Sequence, residues 1–220
     1  SPSRGLGDVY KRQTFLLTKV NESPVITLFL YYVLPRSFTT FCFQYLCNKV
    51  NYVVRKSLEN AVQMEYKALT DDMTGAYNKN RLIELLNNRE RDGQDIAVIY
   101  WDVNQLKYVN DNWGHLCGDR LITEVAKTIQ SIAREEDIVI RYGGDEFLLY
   151  VANGTKEIAE QLIKTWKVRL EEEKKRENYE FPVSASVGYA LGKHSQLKDI
   201  IAAADKDMYA NKRICRESAK

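Results

Sequence analysis

One stretch near the middle of the chain, residues 138–151, restricts the possible folds most. It has two β-rich apolar runs on either side of Gly143, Gly144, Asp145 and Glu146. A glycine pair between two such runs predicts a tight hairpin turn, because glycine adopts a positive φ without penalty. Adjacent carboxylates repel each other unless a cation or a buried partner compensates them. The stretch therefore predicts an antiparallel hairpin with a functional turn, although a plain polar turn with its acids in water is the structural alternative.

Length and composition limit the class of protein. The 220 residues fit one domain with a sizeable core plus an appendage. A net charge of +2 favours no nucleic-acid partner. The four cysteines lack C-x-x-C spacing, so we expect neither a disulfide framework nor a zinc site, and a reducing cytoplasmic setting fits the globular part. They are Cys42, Cys47, Cys117 and Cys215.

Residues 1–50 form an N-terminal segment with two alternative interpretations. Residues 1–13 show no periodicity and resemble translated adapter sequence. Residues 25–47 are apolar apart from an interruption at Pro35 and Arg36. As one span they have transmembrane length and would anchor the chain at the inner membrane as the remnant of a sensor, although a central arginine is costly there. As two pieces neither spans, and the segment is then soluble or artefactual; both interpretations stay open.

A linking helix is predicted over residues 51–70, where apolar residues fall at helical spacing without glycine or proline. A coiled-coil transmitter and an amphipathic helix packed on its own domain are both compatible with that pattern. Residues 71–79 then combine aspartate, glycine and asparagine, which is typical of a turn.

The remaining periodicities predict an α/β (α+β) domain, with a sheet covered by helices on its faces. Strands are expected at 96–101, 138–142, 147–151 and 183–190, and helices at 80–91, 120–133, 155–176 and 197–213. Asp102 lies at the end of the first strand and Asp145 lies in the hairpin turn. If these strands pair side by side, the two carboxylates converge, as in proteins that hold Mg²⁺ (or Mn²⁺) against phosphates.

Several ordered motifs support one resemblance over residues 69–216. Residues 71–79 match a D-x-[LM]-T-G pattern, and residues 102–111 match D-x-[DN]-x-[FL]-K-x-x-N-D. Residues 143–147 spell Gly-Gly-Asp-Glu-Phe, and residues 208–212 match an L-Y-x-A-K helix. The chain thereby resembles the GGDEF family of diguanylate cyclases. The resemblance implies an adenylyl cyclase or polymerase-palm-like fold over residues 71–217, with a central, mostly antiparallel sheet and an N-terminal helical extension.

The resemblance also implies roles for residues around the hairpin. The metal ligands would be Asp102, Asp145 and the carbonyl of Val103, and Glu146 would help to deprotonate the attacking 3′-hydroxyl. Gly143 and Gly144 would let the substrate approach the backbone closely, where any Cβ would clash. Asn104 stands where many members have a second aspartate, which puts a second metal in doubt. Val187 in the Ser-x-Gly strand, Cys215 and Glu217 are further departures.

Guanine recognition is implied for Asn110 and Asp119. A carboxylate suits the two adjacent donors of guanine, and adenine lacks that pair. Helix N-capping is the alternative role for Asp119. The triphosphate-binding cations would be Lys107, Lys212 and Arg216.

Arg134 and Asp137 form an R-x-x-D motif five residues before the glycine pair. In the family this motif is an inhibitory site for cyclic di-GMP. The alternative is an ordinary ion pair at a helix end.

The activity implied by the resemblance is the condensation of two GTP molecules into cyclic di-GMP and two pyrophosphates, across a homodimer and under product inhibition. One alternative is an inactive GGDEF domain that senses cyclic di-GMP or GTP. Another is a cyclase of other or mixed purine nucleotides, against which Asp119 argues.

Overall fold

The computed structural model describes Val25 and residues 28–218, without the side chains of residues 30 and 214–218. The predictions made for residues 1–13 lie outside the described residues. The chain divides into two compact units, one up to Gln63 and one from Met64 onward.

The first long element is helix α1, Leu34–Leu69. A π-helical turn, Phe29–Val33, precedes it, and Pro35 lies in its first turn, where a missing N–H costs little. Among the helices that the structure describes, none is long and apolar enough to cross a membrane. The inner-membrane anchor considered for residues 25–47 is therefore wrong, because the stretch of α1 between Arg36 and Lys49 is too short, and contains too many polar residues, to cross a bilayer.

The second unit is built on a four-stranded antiparallel sheet with the strand order β2-β3-β1-β4. The strands are β1 Asp95–Val103, β2 Ile138–Arg141, β3 Glu146–Ala152 and β4 Ala185–Lys193. The central strand β1 is buried from Ile96 to Trp101, as its continuous apolar run predicts. The predicted antiparallel sheet is confirmed.

Helices cover both faces of this sheet. They are α2 Lys79–Asn87, α3 Leu106–Trp113, α4 His115–Ile132, α5 Lys156–Glu177 and α6 Leu197–Ser218. Odd-numbered residues of β1, such as Ile99 and Trp101, pack in one core with α4 and α5. Even-numbered residues, such as Val98 and Tyr100, pack in a second core with α2 and α6. This alternation places every even residue of β1 on the α6 face.

Helix α4 begins earlier than the sequence predicts. Its N-cap is Gly114, whose φ of 84° reverses the chain directly after α3. The predicted start near residue 120 is therefore wrong by about one turn and a half. Asp119 lies inside the helix rather than at its N-cap, so the capping alternative for Asp119 is also wrong.

The hairpin connects β2 to β3 through residues 142–145. The backbone N–H groups of Tyr142 and Gly143 donate to the Glu146 carbonyl, at 2.8 Å and 3.2 Å. Among the described glycines, those with a positive φ are Gly75 and Gly114. The expectation of a positive φ at the glycine pair is wrong, because a four-residue connection reverses the chain without it.

Candidate active site

Three polar side chains form a row across the α6 face of the sheet. Asp102 on β1 lies opposite Glu146 on β3 and opposite Ser186 on β4. Directly opposed residues of an antiparallel pair have Cβ atoms about 5 Å apart. Next to this row, the Val103 N–H donates to the Asp145 carbonyl at 2.9 Å. The strand pairing therefore brings the end of β1 beside the glycine-containing turn.

Lys212 comes to this row from helix α6. Its Nζ lies 2.5 Å from Oδ1 of Asp102, and both side chains are largely buried. A short charge-assisted hydrogen bond of this kind fixes both partners. Lys212, which is predicted to bind the triphosphate, therefore balances the negative charge of Asp102 in this structure.

The donor chemistry of this corner fits Mg²⁺ or Mn²⁺. Asp102 and Asp145 offer carboxylate oxygens, and Val103 offers a backbone carbonyl, at adjoining strand ends. Magnesium in nucleotide sites takes one or two protein carboxylates and completes its shell with phosphates and water. Within the described residues no cluster of three or more histidine, cysteine or acidic side chains could hold a metal, so nucleotide oxygens would have to complete the shell.

Gly143 makes room for the side chain of Glu146. A Cβ built on Gly143 would overlap Oε2 of Glu146. Around Gly144, by contrast, the described residues place no atom within 4 Å of such a Cβ. The first glycine is therefore required by the position of Glu146, whereas the second leaves an open surface.

The two residues predicted to read guanine lie at the corner between α3 and α4. Asn110 lies on α3, and a Cβ at Gly118 would overlap its Oδ1. Asp119 follows Gly118 and is exposed. The missing side chain at residue 118 lets the Asn110 amide lie against α4, beside Asp119.

The two other residues predicted to bind the triphosphate, Lys107 and Arg216, are described by the structure to different extents. Lys107 is exposed in the first turn of α3. The backbone of Arg216 lies in α6, but its side chain lies outside the described residues.

Arg134 and Asp137 form a two-pronged ion pair. Nε and Nη2 of Arg134 donate to the two carboxylate oxygens, at 2.9 Å and 2.8 Å. Nη2 also donates to the Ala152 carbonyl at 2.8 Å, and Nη1 lies 3.1 Å from Glu136. The Asp137 side chain is 0% exposed, and the hydrogen bond to it raises the pKa of Arg134 above its usual range. This pair is more buried and makes more hydrogen bonds than a surface ion pair at a helix end.

Asn104 is hydrogen-bonded through both its side chain and its backbone to residues at the start of β4. Its Oδ1 accepts from the Ser186 hydroxyl at 2.9 Å, and its backbone N–H donates to the Ser184 carbonyl at 2.9 Å. The asparagine oxygen therefore ties the end of β1 to the neighbouring strand.

A hydrogen-bonded connection also joins the turn at residues 71–79 to the hairpin. Arg141 Nη1 lies 3.0 Å from both carboxylate oxygens of Asp71, and its Nη2 donates to the Gly144 carbonyl at 2.7 Å. Burial opposes ionisation of Asp71, but hydrogen bonds from Thr74 and Arg141 hold the pKa of its carboxyl below the usual value.

Our sequence reasoning assigned no role to Arg141, Ser186 or Tyr100, which line or brace the site. Tyr100 and Asp102 are two residues apart on a strand, so period-two spacing was a usable signal for Tyr100. Arg141 and Ser186 carry no such signal, because their partners are 70 and 82 residues away in sequence.

Comparison with known proteins gives relatives of differing activity. The probable diguanylate cyclase DgcJ of Escherichia coli K12 is 33% identical over 167 residues, covering 70% of this chain and 33% of that protein. The cyclic di-GMP phosphodiesterase PdeR of the same organism is 34% identical over 149 residues, covering 66% of this chain and 22% of that protein. The chain therefore spans a third or less of the length of these relatives.

Solved structures show the same fold. The coiled coil and GGDEF domain of DgcB from Caulobacter crescentus, in complex with c-di-GMP, aligns with a TM-score of 0.65 at 25% identity. The alignment covers 78% of this chain and 94% of that one. The family model described as "Diguanylate cyclase, GGDEF domain" matches residues 68–218, well over half of the sequence. This chain therefore belongs to the GGDEF-domain family.

Proposed function

We propose that this chain is a diguanylate cyclase. Two GTP molecules, one held by each of two subunits, are joined into cyclic di-GMP. Each 3′-hydroxyl attacks the α-phosphorus of the other nucleotide, so a new P–O bond forms as the bond to pyrophosphate breaks. The observation that carries the proposal is the row of Glu146 and Asp102 beside an intact Gly-Gly-Asp-Glu-Phe turn, with Lys212 above it.

The residues of the row have separate proposed roles. Asp102, Asp145 and the Val103 carbonyl would hold Mg²⁺ or Mn²⁺, which supplies positive charge to the reacting phosphate. Glu146 would accept the proton of the attacking hydroxyl. Lys212 is paired with Asp102 and would become available to the triphosphate once other positive charge approaches that carboxylate.

Specificity for guanine would come from the corner of α3 and α4. Asp119 offers two acceptor oxygens to the N1–H and the amino group of guanine, and the adjacent Asn110 amide supplies complementary hydrogen bonds. Adenine would leave the Asp119 carboxylate unpaired, which is the physical basis for rejecting it. Lys107 and Arg216 would complete the binding of the phosphates.

The reaction requires a homodimer, because one site holds one GTP and the bond forms between two nucleotides. We assign catalysis to residues 71–217 and assembly to the linking helix over residues 51–70. Along the whole described length of α1 no residue is buried, which leaves its apolar side chains available to a second copy.

Incubation of the purified chain with GTP and Mg²⁺, followed by chromatographic separation of the nucleotides, tests the proposal. We expect cyclic di-GMP and pyrophosphate, and we expect loss of turnover in Asp145→Ala. Thr155→Ser, which keeps the hydroxyl that caps α5 far from the row, serves as the matched control. A folded dimer that makes no cyclic product would overturn the proposal.

Binding of cyclic di-GMP without catalysis is the second candidate. The Arg134–Asp137 pair supports it, since the Arg134 side chain remains 34% exposed beside a buried carboxylate. Calorimetric titration with cyclic di-GMP and the GTP turnover assay together separate the two candidates: a sensor binds the dinucleotide and leaves GTP unchanged. In an active cyclase the same binding would give product inhibition.

A further inference from the structure

Tyr100 is a tyrosine in the buried apolar run of β1, next to the proposed active site. It precedes Asp102 by two residues on β1, and therefore lies on the same face of the sheet. The residue is 2% exposed, within the core shared with α2 and α6. A phenylalanine would fill that space equally well, so the hydroxyl calls for an explanation of its own.

Tyr100 lies close to the hairpin turn on its face of the sheet. Leu148 lies opposite Tyr100 on β3, which makes Glu146 the diagonal neighbour on the same face. The ring of Tyr142, the first residue of the turn, contacts the Tyr100 ring edge-on with 5.9 Å between centroids. The Glu146 carboxylate extends back over Gly143, at the same end of the strand.

We propose that the Tyr100 hydroxyl positions the Glu146 carboxylate over the glycine-containing turn. Glutamate has three rotatable side-chain bonds, and the space above Gly143 admits its carboxylate without fixing it. A hydrogen-bond donor built into the rigid central strand supplies that constraint. Tyr100 is thus a positioning residue that acts through Glu146.

The burial of Tyr100 and the charges around it agree with this role. Burial raises the pKa of the Tyr100 hydroxyl far above its usual value, and a hydrogen bond with the Glu146 carboxylate raises it further. Asp205 of α6 and the Tyr142 hydroxyl add smaller effects in the same direction.

The effect on catalysis rests on the proposed cyclase function. A displaced Glu146 would accept the proton less efficiently and would leave nucleotide binding unchanged. We expect Tyr100→Phe to lower kcat about tenfold with an unchanged KM for GTP. A purely structural role would instead reduce the active fraction in proportion to lost stability.

The matched control for this variant is Tyr150→Phe. Tyr150 is also 2% exposed and lies on the same face of the sheet, but its hydroxyl is bonded to Nδ1 of His194 at 3.0 Å, away from the turn. Both variants lose one buried tyrosine hydroxyl. We expect Tyr150→Phe to lower the melting temperature and to keep kcat; equal losses of kcat in the two variants would overturn the proposal.

A measurement without turnover separates the proposal from the proposed function. The full chain carrying ¹³Cζ-labelled tyrosine gives a Tyr100 signal that is assigned by its absence in Tyr100→Phe. We expect Glu146→Gln to shift this signal and to leave the Tyr150 signal in place, and Asp205→Asn to shift it less. If Glu146→Gln leaves the Tyr100 signal unshifted, or if Asp205→Asn shifts it more, the contact between the Tyr100 hydroxyl and the Glu146 carboxylate is refuted. A shifted signal in a chain that makes no cyclic di-GMP refutes only the cyclase assignment.

Discussion

At the scale of single residues, the geometry of the turn depends on an absent side chain. The carboxylate of Glu146 occupies the volume that a Cβ at Gly143 would need. Because the obstacle is the end of a flexible side chain, a larger residue at 143 would displace Glu146 more readily than it would unfold the strand. The two glycines of the motif consequently have different physical roles.

Gly143→Ala and Gly144→Ala therefore form a matched pair. We expect Gly143→Ala to lower turnover at least tenfold by moving Glu146, with a stability loss of about 1 kcal/mol or less. Gly144→Ala should leave the melting temperature unchanged, because nothing described lies within 4 Å of the added methyl group. Thermal denaturation and GTP turnover measure the two effects. Full activity in Gly143→Ala would show that the observed position of Glu146 is not required.

Arg134 combines a structural role with the proposed inhibitory one. Arg134→Ala leaves the fully buried Asp137 carboxylate without its cation, so we expect a loss of about 3 kcal/mol in the free energy of unfolding. Chemical denaturation measures that loss, and inhibition curves with cyclic di-GMP should show weaker inhibition at temperatures where the variant is folded.

The control for Arg134→Ala is a surface ion pair whose two residues have the same spacing in the sequence. Arg89 lies 3.7 Å from Asp92, also three residues apart, with an 84% exposed side chain. Arg89→Ala should cost less than about 0.5 kcal/mol and leave inhibition unchanged. Unchanged inhibition in folded Arg134→Ala would make Arg134 a structural residue alone.

At the scale of elements, the turn at residues 71–79 is attached to the edge strand β2. The Tyr77 N–H donates to the Val139 carbonyl at 2.9 Å, and the Arg141 N–H donates to the Tyr77 carbonyl at 2.7 Å. With the Asp71–Arg141 ion pair, these bonds run from the end of α1 to the Gly144 carbonyl. The structure thus provides a hydrogen-bonded route between the linking helix and the proposed active site.

The ion pair of Asp71 predicts a pH-dependent stability. Its folded-state pKa is lowered from 3.8, so its contribution is complete at neutral pH and is lost as the pH falls through the folded-state pKa. We expect Asp71→Asn to cost roughly 1–2 kcal/mol at pH 7 and less at pH 3, below the usual pKa of an aspartate. Denaturation with urea at both values measures this. The exposed neighbour Asp72 provides the control, and an equal cost for Asp71→Asn at both values would contradict the assignment.

At the scale of the whole molecule, the proposed reaction needs two copies of the chain. One side of α1 carries a row of apolar or small residues, the seam, along which two copies can pair. Cys47, Val54, Ala61 and Ala68 repeat every seven residues along α1, which is the spacing of one coiled-coil core position. Val50 and Met64 fall at the second core position and are 59% and 73% exposed. We expect parallel pairing of two α1 helices along this seam.

The native cysteines of α1 can test that pairing. In a parallel pair Cys47 faces its symmetry mate, at the Cα separation of about 5–6 Å that a disulfide needs, whereas Cys42 points outward. With Cys117 and Cys215 replaced by serine, we expect mild oxidation to cross-link the chain through Cys47 in the variant Cys42→Ser. The variant Cys47→Ser should stay largely uncross-linked. Equal cross-linking in both variants would exclude this seam.

Much of the fold could be predicted because strand and helix periodicities are local. The apolar run before Asp102 and the alternation in β4 placed these strands correctly to within a few residues. The start of α4 was misjudged because one glycine, Gly114, reverses the chain between two helices. The turn at the glycine pair was misjudged in its φ angles, since a four-residue connection relaxes the requirement that a two-residue turn imposes.

The sequence by itself determined the family and the sheet and predicted part of the polar set around the hairpin, because motifs and periodicities are written along the chain. Only the tertiary structure decided which partner each polar group takes. Lys212 reaches Asp102 across 110 residues, and Glu146 lies beside Tyr100 and above Gly143. The physical reason is that hydrogen bonds and steric exclusion act over a few ångströms in space, and sequence spacing does not report such distances between separate elements.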